Sequence, residues 1–101
     1  MLSCSAHTMT AVQRQKQSDV WRLLLRCARK SAIDGGYAFQ FSPTEVPLAL
    51  IGNLMDIERQ CCGFAELELR VLATNTAVFS FRGPQGTKEV LDAQLEILAK
   101  D

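Results

Sequence analysis

Two short stretches of the chain place aromatic residues at every second position. Tyr37, Phe39 and Phe41 alternate with Ala38, Gln40 and Ser42, and Phe79 and Phe81 alternate with Ser80 and Arg82. Side chains of a strand point to opposite faces with a period of two. Each stretch therefore reads as a half-buried strand whose aromatic face has to be covered. A break follows each: Ser42-Pro43-Thr44 after the first, Gly83-Pro84-Gln85-Gly86 after the second. A helical pattern follows each break. The segments Ala38 to Pro43 and Val78 to Pro84 thus form a weak internal repeat of hairpin then helix. Two amphipathic strands that arose independently would give the same match.

The remaining elements fit around these strands. Trp21, Leu24, Leu25 and Ala28 recur at helical spacing, with Arg22, Arg26 and Arg29 opposite, which predicts a helix over residues 19–29 with Ser18 as its N-cap. Residues 30–33 read as a strand, and Asp34-Gly35-Gly36 as the hairpin turn that joins it to the aromatic strand. A second helix is expected over residues 44–62, capped by Thr44 or Ser42, with Pro47 in its first turn and Gly63 just beyond its end. Leu67, Leu69 and Val71 alternate with Glu66, Glu68 and Arg70 as a third strand. Thr74-Asn75-Thr76 turns into the fourth, over residues 77–82. Thr87 is expected to cap a last helix running to about residue 100, with Val90, Leu91, Leu95 and Leu98 as its apolar stripe. The expected fold is α+β: a two-layer sandwich in which a four-stranded antiparallel sheet is built from two hairpin-helix units (ββαββα), behind an extra N-terminal helix.

Composition narrows the function classes. At 101 residues and 48% hydrophobic content, the chain has room for one folded domain and is not disordered throughout. No apolar run approaches a membrane span. The net charge of zero gives no overall case for nucleic acid. Residues 1–18 read as a flexible tail before a single domain at 19–101. They are too short and polar for a secretory leader, and both Met1 and Met9 are candidate starts. The single histidine, His7, falls in that tail. A folded part without imidazole lacks Ser-His-Asp and Cys-His systems and most general bases tuned near neutrality. A non-catalytic role is expected in preference to an enzyme. Cys4, Cys27, Cys61 and Cys62 do not suggest a disulfide framework, because one lies in the tail and two are adjacent. Reduced thiols in a cytoplasmic protein are expected.

The candidate site is on the second helix. On a wheel of about 100° per residue, Val46, Leu50, Leu54, Ile57 and Cys61 fall together, with Leu48, Ile51, Met55 and Cys62 beside them. Gly52, Asn53, Asp56, Arg59 and Gln60 occupy the opposite arc. Glu58 breaks the pattern by landing in the apolar arc. A carboxylate facing a core has to be paired, protonated or bound to something. Its i, i+3 and i+4 spacing brings it within one turn of both cysteines. Glu58, Cys61 and Cys62 are therefore the candidate ligand- and metal-binding residues, with Cys27 as a possible fourth member. Thiolates with a carboxylate suit a soft metal ion. The plain alternative is packing, since cysteine commonly fills core space. Adjacent cysteines do not reproduce the C-x-x-C chelate.

Glu58-Arg59-Gln60-Cys61-Cys62-Gly63-Phe64 resembles the E-R-x-C-C-x-F signature of a small, uncharacterised bacterial protein family. Gly36 to Phe41 is similar to that family's Gly-Tyr-x-Phe-x-Phe strand, and Gly83 to Glu89 to its Gly-Pro-x-Gly-x-Lys-Glu segment. The likeness runs over roughly residues 23–98. Many members carry Pro where this chain has Gly63. The resemblance implies a bacterial cytosolic protein of about this size and names no activity.

Three further signals are weaker. Gly83 to Lys88 lies between strand and helix as phosphate loops do, but the P-loop spacing fails. Residues 1–33 are basic: Arg14, Lys16, Arg22, Arg26, Arg29 and Lys30 stand against Asp19 alone. No exposed aromatics interleave to stack bases, so a solvated face or self-association is expected before nucleic-acid binding. The half-polar outer face of the sheet suits a homodimer. Two functions remain: a thiol-based soft-metal or small-ligand module at Glu58, Cys61 and Cys62, or a homodimeric interaction domain in which the cysteines only pack.

Overall fold

A computed structural model describes residues 9–100; Cys4, His7 and the rest of residues 1–8 lie outside them. Seven elements follow one another: α1 (Ala11–Cys27), β1 (Arg29–Ile33), β2 (Gly36–Phe41), α2 (Leu48–Cys61), β3 (Glu66–Leu72), β4 (Thr76–Arg82) and α3 (Thr87–Ala99). The four strands form one antiparallel sheet in the order β1-β2-β4-β3. Two hairpin-helix units behind an N-terminal helix make the α+β fold that the sequence pattern predicts.

The two hairpins meet at β2 and β4, where Phe39 stands opposite Phe79 and Tyr37 opposite Phe81. Trp21 of α1 packs onto this seam, with ring centroids 5.4 Å from Phe39, 5.9 Å from Phe79 and 6.1 Å from Phe81. Leu24, Ile51, Leu54, Leu91 and Leu95 from the three helices complete the core. The opposite sheet face has exposed Arg29, Ser31, Gln40, Glu66, Glu68 and Arg70. Leu67 and Leu69 point toward the helical layer yet are only half-buried, and Val71, expected to face inward, is 60% exposed. β3 is an edge strand, and the helices do not reach across it.

Several boundaries differ from expectation, each for a local reason. α1 begins at Ala11, eight residues before the expected start, so residues 11–18 are helical. Thr10 and Gln13 cap it reciprocally: the Thr10 hydroxyl accepts from the Gln13 backbone and the Gln13 side chain accepts from the Thr10 backbone. This is a capping box. α2 begins at Leu48 with Pro47 as N-cap. A residue before proline is pushed out of the helical region, so Val46 cannot belong to the helix. Ser42 to Val46 forms a turn in which the Ser42 carbonyl accepts from Glu45 and Val46. At α3 the N-cap is Gly86, with φ of 100°, and Thr87 is the first helical residue, its hydroxyl donating to the Pro84 carbonyl at 2.7 Å. Gly36 is fixed by close approach, since a Cβ there would sit 1.9 Å from the Phe81 carbonyl oxygen.

Candidate functional site

Each helix interrupts its apolar stripe with one polar residue, and the three meet. Gln17 lies one turn before Trp21 on α1, Glu58 one turn after Leu54 on α2, and Gln94 between Leu91 and Leu98 on α3. Glu58 is fully buried. Its Oε1 accepts from Gln17 Nε2 at 2.6 Å, from the Trp21 indole at 2.9 Å and, at a longer 3.4 Å, from Gln94 Nε2. Its Oε2 is equally buried and has no hydrogen-bond partner among the described residues. All the support therefore falls on one oxygen of the carboxyl group. Hydrogen bonds to a charged group contribute about 1.5–3 kcal/mol each, whereas a buried polar atom left unsatisfied costs about 1–3 kcal/mol.

The wheel drawn from the sequence holds for α2. Ile51, Leu54, Ile57, Glu58 and Cys61 are buried, while Gly52, Asn53, Asp56, Arg59 and Gln60 are exposed. The sulfurs of Cys61 and Cys62 lie 3.8 Å apart at the helix end. Cys62 is the C-cap residue, its N–H donating to the Glu58 carbonyl at 2.6 Å. Both cysteines are buried.

The expectation of reduced thiols throughout fails at Cys62, which is disulfide-bonded. A sulfur in a disulfide has no proton to lose and is not a thiolate donor. Cys27 stays away from this centre. It follows Trp21 by six residues, about 9 Å along the helix axis, and lines a separate groove with Gln40, Ser42 and Asn75. Among the described residues no three His, Cys, Asp or Glu side chains are grouped to hold a metal ion.

A groove of about 290 Å³ opens beside the centre, between α1 and α3. Met9, Ile97 and Leu98 give it apolar walls, and Arg14, Ser18 and Cys61 also line it. Gln17 and Gln94 separate it from the Glu58 carboxyl that they hydrogen-bond, and Glu58 itself does not reach the groove surface. Gln17 and Gln94 were missed in the sequence as site residues. Gln94 carried a readable signal, because it interrupts the stripe of Val90, Leu91, Leu95 and Leu98. Gln17 carried one only once α1 is known to extend through residue 17.

No helix among the described residues is long and apolar enough to cross a membrane. No protein-family model, curated protein or solved structure matches the chain.

Proposed function

We propose that the protein is a small-ligand-binding module whose recognition group is the Glu58 carboxyl, approached through the groove between α1 and α3. The observation that carries this reading is the lopsided carboxyl: Oε1 has three donors around it and Oε2, equally buried, has no partner among the described residues. A ligand that brings an N–H donor to Oε2 satisfies that oxygen. The groove's apolar walls suit a short hydrocarbon tail. A small amine or guanidine matches both features. The weakest of the three contacts, from Gln94, is the one that yields on entry. A soft ion has less support, because Cys62 is in a disulfide and only the Cys61 sulfur lines the groove.

Trp21 supplies the reporter. It is the single tryptophan, and its indole donates to Glu58. Titration with n-butylamine or n-butylguanidine is expected to change Trp21 fluorescence saturably in the wild type and not in Glu58→Gln, with circular dichroism confirming that the variant is folded. Identical titration curves for the two proteins would reject the assignment. So would a response to Hg²⁺ alone that is lost in Cys61→Ser, since that places the centre on sulfur.

A further inference from the structure

We infer that β3 is a self-complementary docking edge and that its partner is the β3 strand of a second copy of this chain, added antiparallel to make an eight-stranded sheet. The inference is independent of the Glu58 reading. β3 ends the sheet, and an edge strand presents a row of backbone N–H and C=O groups with no strand to pair them. None of its seven residues is buried. Two of the large apolar side chains that the structure exposes, Val71 at 60% and Leu72 at 42%, belong to it.

The pattern along β3 selects both partner and register. In an antiparallel pair centred on Leu69, a two-fold axis sets Leu69 against its own copy. Leu67 then stands opposite Val71 of the other chain, and Glu68 opposite Arg70. Every inward position meets an apolar residue, which extends the apolar face of one sheet into the next. Of the outward charges Glu68 and Arg70 meet their opposites, and such cross-strand pairs stabilise a sheet by about 0.2–1 kcal/mol each. Glu66 stands opposite Leu72 and keeps its opposite within its own sheet, Arg82 at 3.5 Å. Centring on Glu68 or on Arg70 instead would set like charges face to face. A net charge of zero adds little repulsion between copies.

The other edge lacks these properties. β1 has five residues, and it opens with Arg29 and Lys30, the kind of charged residue that blunts edges. Lys30 is already engaged, with its amine 3.8 Å from Asp92 and 4.2 Å from the Tyr37 ring centroid. Pairing β1 with its copy about Ser31 would set Arg29 against Ile33 and leave its charge without an opposite.

Sedimentation velocity at micromolar concentration tests the seam. The wild type is expected to run at twice the 11.2 kDa chain mass. Glu68→Arg and Arg70→Glu each set like charges opposite one another, and each is expected to weaken association at least tenfold. The double reversal restores opposite pairs and should restore the dimer. Val71→Lys, at a position too exposed to matter to the monomer's core, should give a monomer with an unchanged circular dichroism spectrum. A monomeric wild type overturns the inference. So does a dimer indifferent to Val71→Lys and to both reversals, and so does a double reversal that stays monomeric.

Discussion

The fold alters the titration of Tyr37. The acceptor oxygens of the nearby Asp92 side chain favour its protonated hydroxyl, and with some desolvation and the negative charges of Asp92 and Glu89 they raise its pKa above the ordinary 10.0. A raised pKa in the folded state means that the neutral phenol is the favoured form there. The stability this confers is fully present below pH 10.0 and is lost as pH climbs through the folded-state value. Because Tyr37 is the single tyrosine, ultraviolet absorbance follows it directly. Its midpoint is expected above that of a model peptide, and Asp92→Asn is expected to lower it, since the substitution removes the charge. Glu58 shows a different residue-scale lesson. Its inward position was legible from spacing alone, because one acid on an apolar arc is a strong local contradiction. Its partners were not, because which polar residue of another helix it meets depends on how three helices dock.

At the scale of elements, legibility followed the apolar pattern. Residues 66–72 were read correctly as β3 because strict alternation leaves no choice of phase. The start of α1 was missed because Gln13, Arg14, Gln15 and Lys16 carry no stripe; those turns are solvated, and periodicity is silent there. The Thr10–Gln13 capping box was the available signal, and it lies where composition suggests a tail. The start of α2 was set too early because Thr44 looks like a cap, while the restriction that Pro47 places on Val46 overrides it. Thr74 and Asn75 show tertiary support for a turn: both have positive φ, 62° and 55°, and the Asn75 amide donates to Ser42 at 2.7 Å. Gly52 offers the cleanest element-scale prediction. It is exposed in the interior of α2, and a Cβ there meets nothing within 4 Å. Gly52→Ala is expected to raise stability by about 0.5–1 kcal/mol, read as a higher urea midpoint with an unchanged slope.

The whole molecule is held by one apolar layer, and its centre is Trp21 against Phe39, Phe79 and Phe81. All four are at most 1% exposed, as strand alternation implies for the three phenylalanines and helical spacing for Trp21. Phe81→Ala is expected to cost about 3–5 kcal/mol, measured as the loss of unfolding free energy in urea. Leu69, which alternation places in the same layer, is only half-buried, and the difference comes from its strand's place at the edge and not from its own pattern. The order β1-β2-β4-β3 has a kinetic consequence. The ladders β1–β2 and β3–β4 join neighbours in the chain across short turns, whereas β2–β4 joins strands separated by the whole of α2 and β3. The hairpins can close within microseconds, but the β2–β4 ladder must wait for a long loop to close against its entropy. The β2–β4 junction, onto which Trp21 packs, is therefore where the slow step of folding is expected, and a stopped-flow series in which Phe39→Leu slows folding more than a substitution within either hairpin would bear this out.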